Sequence, residues 1–255
     1  QAEDGIRDSV ASRGRGDVYK RQTWAGSLPV PPNIDEFIVA GFLRGKPVEL
    51  VKCQTIDVEV PANSEIILEG YLNLGELRTE GPFGDHTGYY SEADEYPVFH
   101  VTTITHRKDP IYLSTMVGTP PTEDYFMGLA STRLMLPALK MVLPEIVDIS
   151  MPAEGIFHNL LIISIKKSYV GHAKKVMNAI WGLGLLMLTK TIVIVDSDVD
   201  LSDYSQVAWR VLSNIDPEKD ILISEGPLDD LDHASNTPKS VSYTHLRAHE
   251  TLRYL

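Results

Sequence analysis

The residues best suited to chemistry sit in one stretch, Glu80-Gly81-Pro82-Phe83-Gly84-Asp85-His86-Thr87-Gly88-Tyr89-Tyr90. Three glycines and a proline in its first nine residues argue against regular structure, because glycine opens positive φ and proline fixes its own. Such a loop can hold Glu80 and Asp85 facing one site. Two close carboxylates cannot both ionise freely, so one pKa rises, giving a general acid beside an electrostatic partner. A β-turn decorated with surface acids has the same spelling, and spacing alone leaves both readings open.

Other candidates are weaker. Asp196-Ser-Asp198-Val-Asp200-Leu-Ser-Asp203 has the look of a calcium loop. It lacks the sixth-position glycine (Leu201) and the bidentate glutamate (Val207). Its place between a strand and a helix makes at least one of these acids a helix cap. Glu36 says nothing alone, and Lys190 reads as a strand end that could meet a phosphate. Gly171-His172-Ala173-Lys174-Lys175 opens a helix whose free N–H groups could bind an anion, although a plain helix start accounts for it. Met177, Trp181 and Leu185 share a helical face and read as core. No Gly-rich phosphate fingerprint, CxxC pair or Ser-His-Asp pattern is visible.

The elements that must position these residues fall into two kinds. Residues 35–118 read as a meander of strands, a barrel or sandwich portion. It comprises 48–53, the alternating 56–60, 64–74, and a hairpin of 96–106 with 111–117 around Lys108-Asp109-Pro110. The second half alternates. Helix 122–142, with Pro137 inside, is followed by strands 146–149 and 160–165, helix 172–186, strand 191–195, helix 204–215 and strand 220–224. That alternation predicts an α/β layer.

The 255 residues carry 23 basic and 35 acidic side chains, a net charge of −12. So acidic a chain repels nucleic-acid phosphate, and no basic patch in the middle overrides this. Cys53 is alone, so no intramolecular disulfide can form; it reads as a buried reduced thiol. No apolar run reaches the roughly 18 residues of a membrane helix, and the start shows no signal peptide. A cytoplasmic location and at most peripheral membrane association are the default expectations. Residues 1–22 and 241–255 resemble translated sequencing-adaptor strings (DVYKRQ and SYTHLRAHET) and are expected not to be native. Setting them aside removes seven basic and five acidic residues and leaves a net −14.

At EGPFGDHTGYY the chain resembles the UbiD family of decarboxylases. The resemblance runs from about Asp35 to Asn236 through GFLRGKPVELVKC (41–53), VEVPANSEIILEG (58–70), ITHRKDPIY (104–112), KKSYVGHAKKVM (166–177) and LDHAS (231–235). It implies non-oxidative decarboxylation of aromatic or α,β-unsaturated acids with prenylated FMN, a divalent metal, usually manganese, and often potassium. It implies a mixed α/β fold: a β-rich, split-barrel-like flavin-binding portion (23–120) followed by an α/β oligomerisation domain (121–240). A homo-oligomer follows, with a flavin prenyltransferase as supplier of the cofactor and a small aromatic acid as substrate.

Carried over by position, Asp85 would protonate the carbon that loses CO₂, and Glu80 would orient it through an arginine. Glu36, 44 residues before Glu80, falls on a metal-binding position that also serves the cofactor. Lys190 falls on a cofactor-binding lysine. The family's Asn and His metal ligands and its catalytic arginine belong before residue 23, where the adaptor-like sequence stands. The expectation is therefore a truncated fragment, inactive alone. Phe157-His158-Asn159-Leu160 and Trp181-Gly182-Leu183-Gly184 resemble members of the menaquinone pathway, so a naphthoate stands beside 3-polyprenyl-4-hydroxybenzoate as substrate, in quinone biosynthesis either way. The competing expectation from another class is a non-catalytic oligomerisation module, for which the acid pair beside Glu36 would be superfluous.

Overall fold

The computed structural model describes residues 34–112, 114–227, 229 and 232, and the backbone of 246–250. The chain forms two units. Among the described residues, one holds 34–83 and 90–115, and the other holds 84–89 and 116 onward.

The first unit opens with α1 (Glu36–Arg44), a helix in a stretch that sequence reasoning left unassigned. Its ends explain it. The Asp35 carboxylate accepts the Phe37 N–H at 2.7 Å, and Gly45 closes the helix in the left-handed region. Strands β1 (Leu50–Lys52) and β2 (Glu59–Pro61) pair antiparallel. Strands β3 (Ile66–Glu80) and β4 (Asp94–His106) form a long antiparallel ribbon, with register shifts at Glu69/Gly70 and between Leu72 and Leu77. At the first shift only glycine fits, since a Cβ on Gly70 would lie 2.1 Å from the His100 carbonyl oxygen.

Two buried glutamates fasten this ribbon to its surroundings. Glu69 accepts the backbone N–H groups of Gln54 (2.8 Å) and Thr55 (2.7 Å) and the Thr55 hydroxyl (2.7 Å). Burial opposes its charge, but these donors and Ile56 outweigh burial and hold the carboxyl below its usual range. Glu65 accepts from the Ile111 N–H (3.0 Å) and the Arg107 guanidinium (2.7 Å). The Ile111 bond leads in holding its carboxyl low. Glu65 also explains a correction: β4 pairs with β3, and the described residues of 111–117 form no strand. The chain leaving β4 is caught by the Glu65 carboxylate, which takes the N–H that a returning strand would need.

The second unit is layered. Helix α2 (Glu123–Val142) begins at Thr122 and contains Pro137. It precedes β5 (Ile146–Ser150), β6 (Leu160–Ile165), α3 (His172–Trp181), β7 (Thr191–Asp196), α4 (Tyr204–Asn214) and β8 (Ile221–Ser224). A last strand, β9 (Leu246–Glu250), completes a sheet in the order β5-β6-β7-β9-β8. The β6–β7 pair is parallel, joined through α3, whereas β5–β6 is antiparallel. Residues 246–250 lie in the tail that sequence reasoning set aside. Here they pair parallel with β7 and antiparallel with β8, satisfying backbone groups of both.

β6 and β7 are almost continuously apolar because both of their faces are covered. Leu161, Ile163, Ile165, Ile192 and Ile194 pack with α2 and α3 residues such as Leu139, Val176, Met177 and Ile180. The alternate residues Ile162, Val193 and Val195 pack with Val207 and Val211 of α4. Burying each such side chain contributes about 1.5–3 kcal/mol. The fold is thus a mixture of α and β, with β-strands first and the α/β layer second. α3 stops five residues short of the predicted helix end because Gly182 caps it, and a 3₁₀ turn (Gly184–Leu188) follows. Met177 is fully buried and Trp181 packs on the core, but Leu185, in that turn, is exposed. No helix among the described residues is long and apolar enough to cross a membrane.

Candidate active site

The Asp85 loop of the second unit is shaped by its own backbone. The Asp85 N–H donates to the Tyr89 carbonyl at 3.1 Å, and the Gly88 N–H donates to the Asp85 carbonyl at 3.1 Å. Gly88 has φ +84°, and a Cβ there would meet the Thr119 hydroxyl at 2.5 Å. The glycine is required for both reasons. Asp85 is 7 % exposed. Among the described residues, Oδ1 accepts the His86 backbone N–H at 2.7 Å, and His86 Nδ1 stands 2.8 Å from the same oxygen.

The other ring nitrogen of His86 lies 2.7 Å from Nε2 of His158, 72 residues away. Phe157 packs against the His86 ring at 5.3 Å. A turn between β5 and β6 places both. Ala153–Gly155 forms one 3₁₀ turn, after which Ile156 and Phe157 take φ +54° and +45°. Positive φ is rare for any side chain and rarest for a β-branched one, so this backbone is strained by about 1–3 kcal/mol per residue. Its surroundings hold it there. The Phe157 N–H donates to Pro152 O at 3.0 Å and the Asn159 N–H to Gly155 O at 2.9 Å. Gly155 sits so close to Leu160 that a Cβ would lie 2.2 Å from that side chain, and Gly128 of α2 makes room for the Phe157 ring. Burial, and next the neighbouring His86, push the His158 pKa down; Asp229 and Asp85 oppose this and Lys190 reinforces it. A cavity of about 570 Å³, within the usual ligand-site range, adjoins these segments. Thr87, Tyr89, Thr119, Pro121, Glu154 and Ile156 line it.

Of the four residues singled out from sequence, Asp85 and Lys190 belong to the second unit, and Glu80 and Glu36 to the first. Glu80 ends β3 opposite Asp94. Glu36 stands half-buried in the first turn of α1. Lys190 precedes β7 and is ion-paired with the buried Asp232 carboxylate. The His86–His158 contact escaped sequence reasoning, which read Phe157–Leu160 only as a substrate-type marker.

The remaining candidates resolve plainly. Asp203 caps α4 by accepting the Gln206 N–H at 2.9 Å, Asp200 holds Ser202, and Asp198 pairs with Arg210. His172 is a buried helix start paired with Glu145 at 3.1 Å. Cys53 is half-buried, and its thiol pKa is raised by burial and by Glu69.

A flavin and its metal make a definite demand on side chains. Among the described residues no three His, Cys, Asp or Glu side chains converge on one point. Glu36 offers one oxygen ligand and Lys190 one cation, the latter already neutralised by Asp232. The described residues do not by themselves make up a metal cage or a phosphate cradle.

Residues 21–120 match the family model described as the 3-octaprenyl-4-hydroxybenzoate carboxy-lyase Rift-related domain. Residues 125–248 match that of the 3-octaprenyl-4-hydroxybenzoate carboxy-lyase C-terminal domain. An uncharacterised protein of Archaeoglobus fulgidus is 55 % identical over 216 residues, which are 84 % of this chain and 45 % of that one. Vanillic acid decarboxylase of Sedimentibacter hydroxybenzoicus, in its closed form, superposes with a TM-score of 0.78 at 31 % identity, over 89 % of this chain and 48 % of that one. The UbiD-class enzyme HmfF of Pelotomaculum thermopropionicum, in complex with FMN, gives 0.73 at 28 %, over 97 % and 56 %. The chain spans about half the length of the relatives it matches.

Proposed function

The chain belongs to the UbiD family of carboxy-lyases, and from that premise we propose that it carries the proton-donating part of an aromatic acid decarboxylase. The observation behind this reading is Asp85: buried, held at Oδ1 by the His86 N–H, and two residues before Thr87, which lines the cavity. Loss of CO₂ leaves an electron pair on carbon that must take a proton. A held carboxylic acid within hydrogen-bond reach delivers it, an effect worth about 10²–10⁴ in rate. Glu80 is assigned to orient Asp85 through an arginine. Glu36 is assigned as one metal ligand and Lys190 as the contact to the phosphate of prenylated FMN. Manganese, with potassium, is the metal expected.

The substrate proposed is a hydroxybenzoate with a 3-polyprenyl chain or a naphthoate, as in quinone biosynthesis. The working form proposed is a homo-oligomer supplied with cofactor by a flavin prenyltransferase.

The test replaces the matched 216 residues of the Archaeoglobus fulgidus relative with those of this chain. The unswapped relative serves as control. The hybrid is loaded with prenylated FMN and Mn²⁺ and given carboxyl-¹³C-labelled 3-prenyl-4-hydroxybenzoate, vanillic acid and a naphthoic acid. Labelled CO₂ is expected from at least one acid. Asp85→Asn is expected to lower release at least about 100-fold while flavin uptake, read by absorbance, is unchanged. Ordinary turnover by that variant would remove Asp85 from its role. A hybrid that binds flavin but decarboxylates nothing would favour the non-catalytic module.

A further inference from the structure

We infer that His86 and His158 form a proton relay that recharges Asp85 after each turnover, with His158 as the entry point. The inference rests on the decarboxylase reading for its purpose, but its geometry stands alone. Decarboxylation of a carboxylate consumes one proton per turnover, so a buried acid that gives its proton away must be reloaded. Asp85 is 7 % exposed, and among the described residues the His86 ring is the titratable side chain at its carboxylate, 2.8 Å away.

The hydrogen-bond accounting fixes a direction. A carboxylate only accepts, so His86 Nδ1 must carry the proton it shares with Oδ1. A neutral His86 then has a bare Nε2. The 2.7 Å contact between the two Nε2 atoms requires one proton between them, and His158 must supply it. The donors therefore run one way, from His158 to His86 to Asp85.

The transfer balances. A solvent proton binds at Nδ1 of His158, making an imidazolium. His158 passes its Nε2 proton to Nε2 of His86, and His86 passes its Nδ1 proton to Oδ1 of Asp85. One proton has entered, Asp85 is an acid again, and both rings are neutral in the opposite tautomers; exchange of their ring protons with water restores the starting tautomers before the next turnover. The groups acting on His158 are Asp85 and His86 from the loop, Asp229, and Lys190 before β7. Burial and the nearby ring disfavour the imidazolium form of His158. His158 remains half-buried and so within reach of water. The strained Ile156–Phe157 turn and the Phe157 ring make this a built contact rather than a chance meeting of two side chains.

The primary test needs no cofactor. The ring nitrogens of the 255-residue chain are followed by ¹⁵N NMR against pH. His86 is expected to hold its proton on Nδ1 and to show a coupling to His158 across their Nε2 atoms, and His158 to protonate below the ordinary imidazole range. Asp85→Asn is expected to change the His86 tautomer, and His158→Gln to abolish the coupling. A His86 ring protonated on Nε2, or a tautomer that ignores both substitutions, would overturn the relay.

The second test uses the hybrid decarboxylase. His158→Gln is expected to lower kcat about 10-fold or more, with KM within threefold, and to change the pH dependence of kcat. In His158→Gly, added imidazole is expected to restore turnover, which a folding defect would not allow. Unchanged kcat and pH profile in His158→Gln would sink the relay and leave the decarboxylase intact. The Nε2 coupling in a protein that decarboxylates nothing would sink the decarboxylase reading and leave the linked pair.

Discussion

At the residue scale, a position in sequence says little about the partners a side chain acquires. Asp85 was legible as a candidate acid because a loop of glycine and proline must hold it somewhere. Its companion His86 is the next residue, yet nothing in the spelling ties His86 to His158 across 72 positions. That pairing depends on two left-handed residues whose types, Ile156 and Phe157, predict the opposite. His158 also leaves a mark on stability. Its pKa is held below the ordinary value near 6.5, so the folded chain binds fewer protons than the unfolded one just under that pH. Stability is therefore fully present above pH 6.5 and falls as pH drops toward the lowered folded value. Melting temperatures across pH 7.5 to 5 should show this decline, and His158→Gln should flatten it. A profile identical in the two proteins would mean the ring is not held neutral.

At the element scale, the second unit was easier to read than the first. The near-continuous apolar runs of β6 and β7 leave one interpretation, strands covered on both faces, and Asp203 marks the start of α4. The first unit depends on contacts that periodicity cannot carry. Lys108-Asp109-Pro110 spells a turn, but the Glu65 carboxylate 46 residues before Ile111 decides where the chain goes. α1 was missed because its apolar residues make no clear pattern, while its caps, Asp35 and Gly45, were in plain view. Two substitutions test the packing argument. Ile163→Ala, at a fully buried position of β6, should cost about 2–5 kcal/mol. Gly155→Ala should cost about 1–3 kcal/mol, because its new methyl would stand 2.2 Å from the Leu160 side chain. Urea unfolding measures both; a neutral Gly155→Ala would show that the turn yields easily.

At the scale of the whole molecule, charge and connectivity matter most. The chain carries a net charge of −12, and specific donors hold three of its glutamate carboxyls below their ordinary range. Glu65 is held low chiefly by the Ile111 N–H. Glu69 and Glu145 are held low against burial, by backbone donors in the first case and by Lys175 and His172 in the second. Each lowered pKa contributes stability above the unfolded value near 4.5 that is lost as pH falls through the folded value. Acid unfolding should therefore begin below about pH 4.5, well separated from the histidine effect, and Glu69→Gln should shallow it. An acid limb unchanged by that variant would place the sensitivity elsewhere.

The path of the chain between the two units carries one more consequence. Residues 84–89 belong to the second unit, although the sequence on both sides of them belongs to the first. The units therefore cannot be traded between proteins as separate cassettes by a single crossover. A gene joined at residue 116 would inherit His158 from one parent and its Asp85–His86 partner from the other. Recombination within this lineage is thus expected to preserve the whole span from Asp85 to His158 or to lose the site. A library of single-crossover hybrids would reveal it as a gap in the functional junctions across those residues.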